Sequence, residues 1–189
     1  MTAMVGTMLL LARKPEQLEF RPFDLCVLAR QEEVEIRERL RGRPVTFSSL
    51  LPDRLTVLGS PELAAMVLHN LLDNAWRYAD ATPLPRVVLS TSMDGPHLAR
   101  VQVWSTGTAL DAALQARLFE PFASGHSRST GLGLYICREL CQRHGASISY
   151  QRLNRPTARG DIGGNAFTVG FRRTTRPADN ATLFDTIVV

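Results

Sequence analysis

At 189 residues, 44% hydrophobic and 21% charged, the chain has the length for one globular domain with extensions and the apolar content for a real core. Twenty-two Lys and Arg against eighteen Asp and Glu leave a net charge of +4, interspersed rather than gathered into a basic block. This argues against a dedicated nucleic-acid surface while tolerating a nucleotide-sized anion. Three cysteines, Cys26, Cys137 and Cys141, with no CxxC pair argue against a disulfide framework or zinc site and fit a reducing compartment.

Residues 3–14, AMVGTMLLLARK, read as the last turns of an apolar helix stopping before Pro15, because proline disfavours helical geometry in the residue before it. The apolar run is too short to span a bilayer and lacks a cationic flank or cleavage pattern. So apolar a short helix normally packs on another, and we expect the chain to be part of a longer protein. Phe23 and Asp24 then open a second helix, with Asp24 as N-cap, an apolar stripe of Leu25, Leu28, Ile36 and Leu40, and i,i+4 pairs Glu33–Arg37 and Glu35–Arg39. Gly42 ends it. Two short strands follow, Val45–Ser48 and Leu55–Leu58, around a turn at Pro52 and Asp53.

Ser60 before Pro61 is a helix start, since a hydroxyl caps free N–H groups and proline loses nothing at the first helical position. The helix from Pro61 to about Tyr78 turns Leu63, Val67 and Leu71 to the core. Asn70 and Asn74, four apart, project from one side. Such stacked amides need partners. They serve either as capping or sheet-edge contacts, or as weak oxygen ligands of the kind a hydrated Mg2+ accepts when phosphates supply the rest.

Strands at Arg86–Ser92 and Leu98–Trp104 flank a hairpin turn at Asp94 and Gly95. Gly107 breaks the second strand, and Leu110–Arg117 has the composition of a short helix. The small polar residues 123–130 suit a mobile lid. The stretch LFEPFASGHSRSTGLGLYI, Leu118–Ile136, organises the chain: a polar loop runs from an aromatic clamp into a glycine-punctuated helix start. Gly131 and Gly133 lack a Cβ, so either the chain simply turns tightly there or backbone N–H groups approach a phosphate at a helix N-terminus. The helix from Leu132 to His144 buries Ile136 and Leu140, and Gly145 stops it. Strands at Ser147–Leu153 and Ala166–Arg172 complete a sheet, joined by a loop through Arg159, Gly160, Gly163 and Gly164. The tail beyond Thr174 is compatible with disorder, an added strand or a contact with another chain.

HNLLDNAWRYA, LFEPF and STGLGLYI, in this order and spacing, resemble the asparagine box, the phenylalanine box and the second glycine box of the catalytic, ATP-binding domain of bacterial sensor histidine kinases, members of the Bergerat-type ATPase superfamily. The resemblance covers roughly Phe20 to Arg172. It implies a two-layer α/β sandwich, a mixed and mostly antiparallel sheet backed by helices. It also implies three parts: residues 1–18 as the end of a dimerisation helix and linker, 19–173 as the ATP-binding domain and 174–189 as a C-terminal tail. By position, Asn74 would coordinate Mg2+ and Asn70 would support it. Arg77 and Tyr78 would reach phosphate or nucleotide oxygens, and Thr130, Gly131, Leu132, Gly133 and Leu134 would line the triphosphate. Arg128, in the lid, is either a solvated cation or a group that neutralises developing phosphoryl charge beside Arg77. His69 and His126 read as solvated or packing residues.

Relatives that hydrolyse ATP carry a glutamate where Asn70 stands. An amide accepts no proton near neutral pH, so phosphoryl transfer to a histidine is the better expectation. None of His69, His97, His126 and His144 lies on an upstream helix beside an acidic residue, so the acceptor is expected outside the chain. The sequence departs from the pattern in its first glycine box, where Ser105, Thr106, Gly107, Thr108 and Ala109 replace Asp, any, Gly, any, Gly, and at Ser129, where a glycine is expected before Thr130. Losing the adenine-reading aspartate costs ~1 to 3 kcal/mol, about five- to 150-fold in affinity. Ser105 and Gly107 nevertheless remain candidates for the base end of an ATP site. The resemblance implies a homodimer through the missing helices, a response regulator as partner, no nucleic acid and no direct membrane contact. It places the domain in the cytoplasm, with the parent protein open to anchoring in the inner membrane. A non-enzymatic regulatory module holding little ATP, or another anion, is the alternative.

Overall fold

The computed structural model describes residues 20–79, 82–123, 130–157 and 160–173. The N-terminal apolar segment, Arg128, His126, Ser129, Arg159 and the tail lie outside them. The order is β1 (Arg21–Asp24), α1 (Leu25–Arg39), β2 (Thr46–Leu50), β3 (Thr56–Gly59), α2 (Pro61–Ala79), β4 (Arg86–Asp94), β5 (Leu98–Thr106), α3 (Ala112–Ala116), α4 (Gly133–His144), β6 (Ser147–Arg155) and β7 (Ile162–Arg172). Five strands form one sheet in the order β2-β4-β5-β7-β6, with β2 parallel to β4 and the other neighbours antiparallel. The helix layer packs on one face, giving the two-layer α/β sandwich.

Alternation along the strands divides the sheet. Val87, Leu89, Val101, Val103, Val169 and Phe171 join the main core with Leu63, Leu68, Leu71 and Leu72 of α2 and Ile136 and Leu140 of α4. On the other face Val88, Trp104 and Ala166 make a second cluster, flanked by Leu153 and Ile162. Its centre, Trp104, is 1% exposed. Trp104 donates Nε1–H to the Leu153 carbonyl at 3.0 Å and carries the Arg155 guanidinium 5.4 Å from its ring centroid.

Several expectations need correction. Phe23 does not open a helix: Arg21–Asp24 form a strand antiparallel to β3, and the helix starts at Leu25. Asp24 is its N-cap, and its Oδ1 accepts N–H bonds from Cys26 at 2.9 Å and Leu55 at 3.1 Å. Short-range reading missed β1 because its partner lies some thirty-five positions on. The two strands expected around Pro52 and Asp53 are present and enter different sheets, β2 the main sheet and β3 the pair with β1. Gly163 and Gly164 belong to β7, not to a loop. A Cβ on Gly163 would fall 2.6 Å from Arg152 Nη2, and one on Gly164 2.2 Å from the Trp104 ring, so both are strand glycines making room for a neighbour.

The α1 charge pattern is only partly local. Arg37 pairs with Glu33 at 2.7 Å as the spacing predicts, but Arg39 reaches across to Asp73 Oδ1 on α2 at 3.2 Å instead of closing on Glu35. His69 is half-buried in this groove. Its Nδ1 stands 3.2 Å from Glu32 Oε2 and 3.7 Å from Glu35 Oε2, and its Nε2 stands 3.2 Å from Arg39 Nη2. These three ligand atoms lie within 4.8 Å of one another. Arg39, which can only donate, occupies the second ring nitrogen, and the groove is a charge-compensated ion-pair network.

The three cysteines are buried, and burial pushes their thiols up, Cys141 to about 12, which leaves packing groups rather than nucleophiles. Gly145 closes α4 in a left-handed conformation, φ 64°, with Ala146 N–H bonded to Cys141 O at 2.9 Å and Gly145 N–H to Gln142 O at 3.1 Å.

The hydrogen bond to Glu32 raises the His69 pKa above its ordinary value of 6.5, against burial and the Arg39 charge, which lower it. A group whose pKa rises on folding stabilises fully below its unfolded value and loses that contribution as pH climbs through the folded one. Chemical denaturation of His69→Ala should show its largest deficit against the parent at acidic pH, shrinking toward pH 9; a deficit that grows with pH contradicts the assignment. In a second variant, Gly164→Ala, the added methyl meets Trp104 and the Ser105 carbonyl. It should lose about 1–3 kcal/mol by the same measurement, and an unchanged midpoint would show that β7 has slack there.

Candidate functional site

The site forms where α2 faces the start of α4. Ser60 accepts the Leu63 N–H at 3.5 Å, and the apolar stripe Leu63, Val67, Leu71 seats α2 on the sheet. That orientation carries Asn70 and Asn74, both half-buried, to the α4 side. A Cβ on Gly133 would lie 3.5 Å from Asn74 Nδ2, 4.0 Å from Asn74 Oδ1 and 3.8 Å from Asn70 Oδ1. Asn70 donates one of its two Nδ2–H groups to Met66 O at 2.9 Å, and its Oδ1 lies on the Gly133 side. Both amides thus face the opening turn of α4; the i,i+4 spacing on α2 predicts the shared face, not what lies opposite it.

The α4 N-terminus is suited to an anion. Its cap residue, Leu132, makes no side-chain cap hydrogen bond, and no acidic residue occupies the first turn. First-turn N–H groups of a helix have no partner within it, and the helix dipole favours negative charge there. Gly131 precedes it at φ 65°, a conformation that costs glycine least. A Cβ there would fall 2.5 Å from the Phe122 carbonyl carbon and 2.9 Å from the Ala123 nitrogen, so the glycine lets the phenylalanine segment and the glycine segment meet. Leu118 is buried, Phe119 packs edge-on against Phe167 at 6.5 Å, and Phe122 is 75% exposed with φ 63°, a rare backbone state for a non-glycine residue. Thr130 is exposed beside this junction, and Leu132 and Leu134 pack partly on the main core.

Arg77 and Tyr78 lie at the exposed end of α2. Arg77 Nη2 pairs with Asp73 Oδ2 at 2.8 Å, while Asp73 Oδ1 accepts Trp76 Nε1–H at 3.1 Å and the Arg39 contact. Sequence reasoning missed Asp73, which holds Arg77 over the last turn. Ser105 is 4% exposed near the end of β5, on the helix-facing side with Val101 and Val103, and its cross-strand neighbours are Val87 and Asn165. Thr106, 2% exposed, accepts the Arg86 N–H at 3.0 Å and meets the Thr82 hydroxyl at 3.1 Å, joining the ends of β5, β4 and α2. Gly107 follows, where a Cβ would come within 2.9 Å of Asn165 Nδ2. Asn165, Tyr150 and Arg152 were not foreseen as site residues. The available signal was a polar residue at an inward position of a strand, but with β7 starting at Ile162 rather than Ala166 it was hidden.

The arrangement sets two neutral amides opposite an uncapped helix start, and it leaves Ser105 near the end of β5 on the same helix-facing side of the sheet. The amide oxygen of Asn74 is a hard, uncharged donor, suited to an oxygen-preferring divalent cation whose charge is mainly met by phosphates. No carboxylate of α2 stands at Asn70 or Asn74 to act as base toward water. Among the described residues, no helix is long and apolar enough to cross a membrane.

Residues 59–175 match the family described as histidine kinase-, DNA gyrase B-, and HSP90-like ATPase. The sensor protein TorS of Escherichia coli is 34% identical over 115 residues, covering 59% of this chain and 12% of TorS. The sensor protein kinase PilS of Pseudomonas aeruginosa is 32% identical over 173 residues, 90% of this chain and 31% of PilS. The chain therefore spans less than a third of the length of these curated relatives. Among solved structures, the catalytic domain of histidine kinase ThkA superposes with a TM-score of 0.69 at 28% identity, covering 83% of this chain and 97% of that one. ThkA in complex with the response regulator TrrA gives 0.71 at 26% identity, with 92% and 47% covered. With the match running from the end of β3 through β7 and the boxes brought together as that fold requires, the chain belongs to the histidine kinase-, DNA gyrase B- and HSP90-like ATPase family.

Proposed function

We propose that residues 19–173 are the ATP-binding catalytic domain of a sensor histidine kinase, which delivers the γ-phosphate of ATP to a histidine on a dimerisation helix. Residues 1–18 are the end of the segment leading from that helix, and 174–189 form a tail. The observation that carries this reading is the approach of Asn74 and Asn70 to Gly133 at the uncapped start of α4. Asn74 is assigned to Mg2+, with Asn70 supporting it. The N–H groups from Gly131 to Leu134, with Thr130 beside them, are assigned to the triphosphate. Arg77 and Tyr78 are assigned to phosphate or nucleotide oxygens, and Ser105 and Gly107 to the base end. Bound Mg2+ would supply charge neutralisation between phosphates. Arg77 and Arg128 are the cations assigned to the transferred group, and Arg128 lies outside the described residues.

The chemistry asks little more of the protein. An imidazole is itself nucleophilic, so transfer to histidine needs positioning and neutralisation rather than a base, and Asn70 in place of a carboxylate disfavours attack by water. Relatives described as sensor kinases favour transfer over the regulatory alternative, and the ThkA–TrrA complex supports a response regulator as the downstream partner. We assign the domain to the cytoplasm, in a protein that dimerises through its upstream helices and can be anchored in the inner membrane.

Calorimetry with Mg2+ and a non-hydrolysable ATP analogue should detect binding to the parent chain and at least a roughly tenfold weakening in Asn74→Ala, with the thermal midpoint of the free protein unchanged. No heat of binding at millimolar nucleotide would remove the reading. In the double variant Ser105→Asp with Ala109→Gly, the restored acceptor should raise affinity by about five- to 150-fold. An unaltered affinity would mean that this strand end is not where the base sits.

A further inference from the structure

Asn165 is 7% exposed and faces the helix layer from β7, alternating with Phe167 and Val169 directly across from Ser105. Each kind of hydrogen bond its amide can make is used. Nδ2 donates to Thr108 O at 3.1 Å, and Oδ1 accepts from the Tyr150 hydroxyl at 2.9 Å and from Arg152 Nη1 at 3.2 Å. The same Arg152 nitrogen donates to Gly107 O at 2.8 Å. The carbonyls at 107 and 108 are therefore held by side chains from β6 and β7. Gly107 sits against Asn165 closely enough to leave no room for a Cβ.

That loop carries the altered first glycine box, with Ala109 where a second glycine is expected. We propose that Asn165, supported by Tyr150 and Arg152, is the positioning residue that sets the shape of the loop at Gly107 and Thr108 and through it the affinity of the proposed site for its nucleotide. The inference rests on the nucleotide reading above for the second half only. An amide is required because it donates to one carbonyl while accepting from a phenol and a guanidinium. Aspartate has the same size and keeps the two accepted bonds, but it sets an oxygen against Thr108 O where a donor stood. Setting a carboxylate oxygen of this buried position against that carbonyl is the costly side of the exchange.

The test uses the whole chain and two variants, Asn165→Asp and Arg152→Ala. Arg152 is exposed, and its removal deletes the tie to Gly107 O while leaving the amide in place. Hydrogen exchange of a peptide spanning 106–111 should speed up roughly tenfold in Asn165→Asp and less in Arg152→Ala, with peptides from α2 unchanged. Both variants should bind the Mg2+–ATP analogue roughly five- to tenfold more weakly than the parent. Unchanged exchange across 106–111 overturns the pinning. Faster exchange with unaltered affinity in both variants overturns its role in binding. A parent chain that binds no nucleotide, yet loosens at 106–111 in Asn165→Asp, overturns the nucleotide reading and the second half with it while upholding the loop assignment.

Discussion

The structure turns on the contact between the middle of α2 and the first turn of α4. Leu71 and Leu140, each 0% exposed, and the Cys137 thiol, which donates to Val67 O at 3.8 Å, press the two helices together on the sheet. At the mouth of that contact the packing changes character: Gly133 presents only hydrogen, and two amides stand opposite. A larger side chain at 133 would cover Asn74, and a slip of one residue on α2 would turn both amides about 100° away. The hydrophobic effect supplies the driving force, and the glycine supplies the space. Function is thus assigned to the seam between two helices whose burial is set by ordinary core residues.

The two parts of the proposed site are made of different materials. At α4 the proposed ligands are backbone N–H groups and a missing Cβ, so side-chain replacement there changes little until a glycine is lost. At the end of β5 the groups are side chains, Ser105, Asn165 and Arg152, each of which can be exchanged singly. The departures from the family pattern at Ser105 and Ala109 fall at the side-chain end. Ties from β6 and β7 hold the altered loop at Gly107 and Thr108, and the α4 end keeps Gly131 and Gly133 but carries Ser129 where a glycine is expected.

Much of this was legible in the sequence because it is local. Period-3.6 stripes, Ser60 with Pro61 and Gly145 after α4 are signals read within a turn or two. The i,i+4 spacing of Asn70 and Asn74 predicts a shared face without knowledge of what lies opposite. The pairing of β1 with β3, the parallel entry of β2 beside β4 and the reach of Arg39 to Asp73 depend on residues far apart in the chain, and no local pattern encodes them. Gly163 and Gly164 resemble loop glycines by composition; only the positions of Arg152 and Trp104 show why a strand needs them. Asn165 was hidden for the same reason, since its worth lies in three partners that come from a neighbouring strand and a loop some fifty-five residues earlier.

The most direct measurement is a crystal structure of this chain with Mg2+ and a non-hydrolysable ATP analogue. The account predicts Asn74 Oδ1 about 2.0–2.1 Å from the metal, with phosphate oxygens on N–H groups at the start of α4. A nucleotide bound elsewhere, or one whose phosphates and metal leave Asn74 and Gly133 untouched, would contradict it.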